Sequence, residues 1–129
     1  ARGELSVLRD AVTEVLDTAR EAFERGDVRL AMQVEPLEQV VDQVKERMRT
    51  NHIMRLKNGD CSIETGFVLS DILTNLERVS DHCSNIGVCV IQIKEDAFDT
   101  HEYLDTLDKG ENPRLNKKYM EYKNIYKLP

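Results

Sequence analysis

Residues 62–95 read SIETGFVLSDILTNLERVSDHCSNIGVCVIQIKE and carry the most regular hydrophobic pattern in the chain. Apolar side chains recur there in alternating steps of three and four residues: Leu69, Ile72, Leu76, Val79, Cys83, Ile86, Val90 and Ile93. That spacing places them along one side of an α-helix. With Ser62 as the N-cap, the pattern predicts a single long helix that lasts until about Glu95.

Two further amphipathic segments precede this helix, over residues 4–25 and 28–56. Their apolar stripes are Leu5, Leu8, Val12, Val15, Ala19 and Ala22 in the first, and Leu30, Val34, Leu37, Val41, Val44 and Met48 in the second. Gly26 can end the first helix in a left-handed conformation, and Asp27 can cap the second. Pro36 predicts a kink or a fresh start within the second helix, because proline has no N–H to donate.

The connections between these segments are short, as in the turn sequence Lys57-Asn58-Gly59-Asp60. Short connections make neighbouring helices antiparallel. The sequence therefore predicts an all-α fold with two parts. Residues 1–97 form an antiparallel three-helix bundle, and residues 98–129 form a C-terminal helical tail.

The tail is predicted to hold two helices. Asp99 or Thr100 can cap a short helix that ends before Gly110, and Pro113 can occupy the first turn of a last helix. The last helix would present Leu115, Tyr119, Tyr122 and Tyr126 on one side. We expect it to pack on the bundle or against another subunit.

Composition narrows the possible functions. The chain has 129 residues and a net charge of −6, which argues against a general nucleic-acid binder. No apolar run approaches the roughly 20 residues that span a bilayer, so we expect no membrane insertion by this segment. Cys61, Cys83 and Cys89 form no C-x-x-C motif, and their number prevents complete pairing, which favours a reducing, cytoplasmic setting.

Two acidic pairs with the same spacing lie on two different predicted helices. Glu38 and Asp42 form the first acidic pair, and Glu77 and Asp81 form the second. Residues four apart lie on nearly the same helix face, where like charges repel and a bound cation would reverse that repulsion. Hard cations take several oxygen ligands, so four carboxylates from two adjacent helices predict a metal site at the bundle surface. The alternative is an ordinary solvated acidic face.

The sequence carries none of the catalytic motifs that would suit a helical bundle of this kind. No Glu is followed by His three residues later, as ferritin-like di-iron enzymes require. The sequence also has no Gly-rich phosphate loop and no His-Glu-x-x-His motif. His82 and Cys83 are adjacent, so on a helix their side chains diverge. We therefore predict that the chain is not an enzyme.

The residues around the second acidic pair resemble a family signature. The run Asn75-Leu76-Glu77-Arg78-Val79-Ser80-Asp81-His82, followed by Asn85-Ile86, resembles that of the PhoU family of phosphate-signalling proteins. The resemblance covers roughly residues 5–95 and implies a three-helix repeat with metal ligands on two helices. The ligands it implies are Glu38, Asp42, Glu77, Asp81 and, as a weaker candidate, Asn85. Iron is the first metal implied, with magnesium, manganese, calcium and zinc as alternatives.

The chain resembles one PhoU repeat, whereas free-standing family members contain two. Single repeats occur at the cytoplasmic C-terminus of sodium/phosphate cotransporter-like (Na/Pi-cotransporter II-related) proteins, and the tail resembles the ending of that subgroup. The absence of an initial Met agrees with an excised domain. The resemblance implies regulation of phosphate transport, with the transmembrane transport domain of the same parent chain as partner and a homodimer that recreates two repeats. The alternatives are a plain helical interaction or scaffolding domain without metal and, third, an oxidative di-iron enzyme.

Overall fold

A computed structural model of the protein describes residues 2–94 and 113–129. It contains the helices α1 (Arg2–Arg25), α2 (Val28–Lys57), α3 (Ile63–Lys94) and α4 (Pro113–Ile125), and those two ranges hold no strand. The predicted all-α class is confirmed. The short helix predicted between Asp99 and Gly110, and the domain boundary at residue 97, lie outside the described residues.

The chain turns between helices where the sequence signals predicted. Gly26 has φ 60° and Gly59 has φ 75°, a left-handed conformation in which glycine carries no Cβ penalty. Asp27 caps α2, because its Oδ1 accepts hydrogen bonds from two backbone N–H groups of the first turn, at 2.9 and 3.2 Å. Ser62 caps α3 in the same way, at 3.2 Å. These local signals set the antiparallel order of the first three helices.

The predicted stripes of α1 and α2 form most of the core. Buried members are Leu8, Val12, Val15, Ala19 and Ala22 of α1, with Val34, Leu37, Val41, Val44 and Met48 of α2. Leu5 and Leu30 are half-buried at the ends of their stripes. Helix α2 runs without a break through the buried Pro36, so a fresh start at the proline is wrong.

The predicted seam of α3 is only partly correct. Val79, Ile86 and Ile93 were expected in the core, but they are exposed by 38%, 39% and 70%. The buried side chains of α3 are instead Leu73, Ser80, Cys83, Gly87, Val90 and Ile91. The helix is rotated toward its small residues, because small residues let a neighbouring backbone come close.

Gly87 shows how close that approach is. A Cβ on Gly87 would lie 3.0 Å from the carbonyl oxygen of Ala31 and 3.3 Å from Cβ of Val34. Even a methyl group at this position would be tighter than most Cβ contacts and would press on the backbone of α2, so glycine suits this contact between α2 and α3. The close crossing brings the polar flanks of the two helices together, and the acidic pairs lie on those flanks.

The last helix packs on the bundle. Helix α4 lies chiefly against α2, with Leu115 and Tyr122 buried and Tyr119 and Tyr126 partly covered. The Tyr122 hydroxyl donates a hydrogen bond to Oε1 of Gln33 at 3.3 Å. Of the two packing modes expected for this helix, the structure has the one on its own bundle.

Across residues 2–94 and 113–129, no helix combines the length and apolarity that crossing a lipid bilayer requires.

Candidate functional site

The two acidic pairs face each other across the contact between α2 and α3. The Lys45 ammonium joins them, because its Nζ lies 2.6 Å from Oδ1 of Asp42 and 2.6 Å from Oε1 of Glu77. One turn earlier on α2, Glu38 is repelled by the charge of Asp81 on α3. Ascending positions on α2 thus meet descending positions on α3, which is the register of antiparallel helices. The two acidic pairs therefore lie next to each other on adjacent helices, with Lys45 between Asp42 and Glu77.

The residue at the centre of this ion-pair network is Lys45, which the sequence pattern did not single out. Its side chain is only 5% exposed, although lysine usually keeps its head group in water. A third carboxylate, that of Glu46, lies 3.6 Å from Nζ. The available signal was a lysine three residues after Asp42 and beside the apolar stripe of α2, a spacing that suits an ion pair within one helix.

The protonation of Lys45 is secured by its partners. Burial lowers the pKa of a lysine, because it disfavours the charged form. Here the hydrogen bonds to Asp42 and Glu77, together with the charges of those carboxylates, outweigh burial and raise the pKa of Lys45 above its ordinary value. The ammonium is therefore a fixed positive charge within the site.

Glu38 has the most perturbed carboxyl group of the site. Burial, followed by repulsion from Glu35, Asp42 and Asp81, raises the pKa of Glu38 to about 7, with Lys45 acting in the opposite direction. A carboxyl group with this pKa exchanges its proton near neutral pH. The site thus holds more negative charge than its one lysine balances.

A shallow groove of about 320 Å³ opens beside these residues; we call it the acidic groove. Its lining side chains are Glu38, Thr74, Glu77, Arg78 and Asp81. Two of the five predicted ligands, Asp42 and Asn85, are not among the lining residues. Asn85 is exposed one turn beyond Asp81. The neighbouring Ser84 donates its hydroxyl hydrogen bond to Glu35 on α2.

The oxygen donors of this site suit a metal ion, but their arrangement does not. Carboxylate oxygens are suitable donors for a hard cation. The space between Asp42 and Glu77, however, holds the Lys45 ammonium. Within the described ranges, 2–94 and 113–129, no group of three or more His, Cys, Asp or Glu side chains is arranged to hold a metal ion. The side chains as they are placed form a salt-bridge network rather than a coordination shell.

A second polar cluster, which the sequence pattern did not indicate, lies at the end of the bundle where α1 begins and α2 ends. Glu4 is buried at the start of α1 and accepts hydrogen bonds from Asn51 at 2.7 Å and Arg55 at 3.3 Å. Nearby, the Cys61 thiol lies 3.6 Å from Nδ1 of the buried His52. These contacts tie the first turn of α1 to the last turns of α2, which is a structural role.

The fold and the site define a helical-bundle domain with facing acidic pairs on its second and third helices. A family model described as the PhoU domain matches residues 5–90, a range that includes both acidic pairs. The chain belongs to the PhoU domain family, which confirms that part of the resemblance.

One curated relative extends this result. The chain is 31% identical over 107 residues to the phosphate-specific transport system accessory protein PhoU homolog 1 of Thermotoga maritima. The alignment covers 83% of this chain and 46% of the relative, so the chain matches less than half of the relative's length. No solved structure gives a significant match.

Proposed function

We propose that this chain is a non-catalytic regulatory module of a phosphate-transport system and that its acidic groove responds to metal ions. The observation that carries the proposal is the meeting of both acidic pairs across α2 and α3 within a PhoU domain. The Thermotoga relative is named as an accessory protein of a phosphate-specific transport system, which supports the transport link.

The proposal includes a parent protein. We place the module on the cytoplasmic side of a sodium/phosphate cotransporter-like protein, with the transmembrane transport domain of the same chain as its partner. The PhoU-domain model matches the chain over residues 5–90, and the alignment covers 46% of the relative's length. Both values are what we expect if the chain is one repeat of a larger assembly. A homodimer would supply the second repeat.

The proposed ligand is a hard metal cation. Iron comes first, and magnesium, manganese, calcium and zinc are alternatives, since all accept carboxylate oxygen. Burial is the first cause of the raised pKa of Glu38, and repulsion from Glu35, Asp42 and Asp81 adds to it. A cation bound among Glu38, Asp42, Glu77 and Asp81 would offset the repulsion from Asp42 and Asp81. The energetic benefit is the removal of that repulsion, and the two helices would be held together more firmly.

Thermal unfolding with and without Mn²⁺ tests the metal site. Mn²⁺ should raise the melting temperature of the wild type by several degrees, because a ligand at 100 times its Kd adds about 2.7 kcal/mol to the stability of a folded protein. The substitution Asp81→Asn should abolish the rise. Asp71→Asn, on the exposed face of the same helix, is the matched control and should keep it.

The alternative is a helical interaction domain without metal. One observation favours it, namely that the ammonium of Lys45 already lies between Asp42 and Glu77, where a metal ion would have to bind. That function predicts the same melting temperature with Mn²⁺, with a chelator and with neither. An identical response of the Asp81→Asn and Asp71→Asn proteins to Mn²⁺ would count against the metal site.

The transport link has its own test in the parent protein. Phosphate uptake by cells that carry the parent chain with Asp81→Asn should differ from uptake with Asp71→Asn. Equal uptake across a range of phosphate and metal concentrations would argue against regulation through the acidic groove.

A further inference from the structure

We propose that Lys45 is a tethered cation that competes with metal ions for the carboxylates of the two acidic pairs, so that a metal ion bound by both pairs requires Lys45 to leave Asp42 and Glu77. This inference rests on the proposed metal response. It gives Lys45 the role of setting the affinity of the site and the metal concentration at which it responds.

The Lys45 ammonium is buried between the two acidic pairs. Nζ of Lys45 contacts one carboxylate from each acidic pair, both at 2.6 Å. The lysine side chain is 5% exposed, whereas those of Asp42 and Glu77 are 51% and 40% exposed. The positive charge therefore lies beneath its two carboxylates, within the contact between helices and not on the surface.

The other two candidate ligands, Glu38 and Asp81, are not paired with Lys45. Glu38 and Asp81 line the acidic groove, and neither makes an ion pair with another residue of 2–94 or 113–129. Lys45 thus divides the four candidate ligands into two that share its ammonium, Asp42 and Glu77, and two that do not contact it, Glu38 and Asp81. Two carboxylates offer a hard cation fewer oxygen ligands than it prefers.

Electrostatics makes the two cations exclusive. A divalent ion bound to Asp42 and Glu77 would lie within a few ångströms of the ammonium, and like charges at that distance in a partly buried site repel strongly. Lysine is a point charge on a flexible four-carbon stem, so it can withdraw to solvent. The domain therefore has two arrangements, one paired by lysine and one bridged by metal.

Removing the lysine charge should lower the stability of the metal-free domain and raise its affinity for metal ions. Without metal, the four carboxylates of Lys45→Met repel one another across α2 and α3, and the melting temperature should fall. With metal, no internal cation has to be displaced. Affinity should then rise by about tenfold or more, the scale of a coupling between close charges.

Calorimetric titration with Mn²⁺ and thermal unfolding with and without it test the proposal. The variant is Lys45→Met, and the control is Lys118→Met, which removes a half-exposed lysine 3.4 Å from Glu121 on α4. We expect Lys45→Met to bind Mn²⁺ about tenfold or more tightly than wild type and to regain its melting temperature on binding. Lys118→Met should bind as the wild type does.

The outcomes separate the inference from the proposed function. Equal Mn²⁺ affinity in the wild type and Lys45→Met would overturn the competition and leave the metal response intact. Binding by Lys45→Met alone would support the competition and overturn the metal response of the native domain. Absence of binding in both would overturn both. If Lys45→Met does not fold even with Mn²⁺, Lys45→Gln carries the same comparison, because it removes the charge and keeps a polar head group.

Discussion

Glu38 shows at the scale of one residue how the site departs from an ordinary acidic surface. Its pKa of about 7 comes from burial first and from three neighbouring carboxylates second. Such a value exceeds the ordinary value of 4.5, so the folded protein binds a proton that the unfolded chain releases between pH 4.5 and 7. The stabilisation that this proton provides is complete below pH 4.5 and is lost as the pH rises through 7.

The substitution Glu38→Gln therefore has an effect that depends on pH. Glutamine resembles the neutral carboxyl group, so at pH 8 the variant should be more stable than the wild type by about 1–2 kcal/mol, after allowance for partial exposure. At pH 5 the two proteins should differ much less. Urea unfolding at both pH values measures the difference, with Asp71→Asn as the exposed control. If Glu38→Gln and the wild type differ in free energy of unfolding by the same amount at pH 5 and pH 8, the pKa of Glu38 is not raised in the folded protein.

At the scale of elements, the helix boundaries depend on single capping side chains. Asp27 accepts hydrogen bonds from the backbone N–H groups of Arg29 and Leu30. Its loss leaves two donors at the start of α2 without their partner. This cap also directs the chain from α1 into α2, so it contributes to the antiparallel order.

Replacing the cap should destabilise the bundle by a modest and predictable amount. We expect Asp27→Ala to lower the free energy of unfolding by about 1 kcal/mol. Asp17→Ala, in the exposed middle of α1, should change it by less than about 0.5 kcal/mol. Chemical denaturation of both variants makes the comparison. Equal losses would show that the Asp27 side chain contributes no cap.

The length and N-cap of α3 follow from its sequence, whereas its buried face does not. Its length and its N-cap could be read from the hydrophobic period and Ser62. Its buried face could not, because Val79 and Ile86 are the more hydrophobic residues while Ser80 and Gly87 are the buried ones. Close approach of two backbones favours small side chains, and hydrophobicity alone does not report it.

At the scale of the whole molecule, α4 belongs to the same packed unit as the bundle. Tyr122 is buried at 6% exposure in the main core, and its ring also lies 5.9 Å from the Lys118 ammonium. Burial raises the pKa of this tyrosine, with smaller contributions from Glu14 and Glu121, so its hydroxyl is neutral at physiological pH.

Truncating this side chain should therefore affect the entire domain. We expect Tyr122→Ala to lower the free energy of unfolding by about 3 kcal/mol, the scale of losing a buried aromatic ring. Tyr122→Phe should cost about 1 kcal/mol or less, since it removes only the hydrogen bond to Gln33. Met120→Ala, half-exposed on the same helix, is the control. Two separate transitions in far-UV circular dichroism would mean that α4 unfolds independently of the bundle.

The all-α class, the helices in the described ranges, their caps and the two acidic pairs could be predicted from the amino-acid order, because hydrophobic period, capping and turn chemistry act over a few residues. The rotation of α3 about Gly87, the exposed position of Asn85 and the insertion of Lys45 between Asp42 and Glu77 required the tertiary structure. Each depends on how far two helices approach and in which register, and those quantities come from packing over the whole contact. The same packing buries Lys45 between the two helices and places its positive charge at the centre of the site.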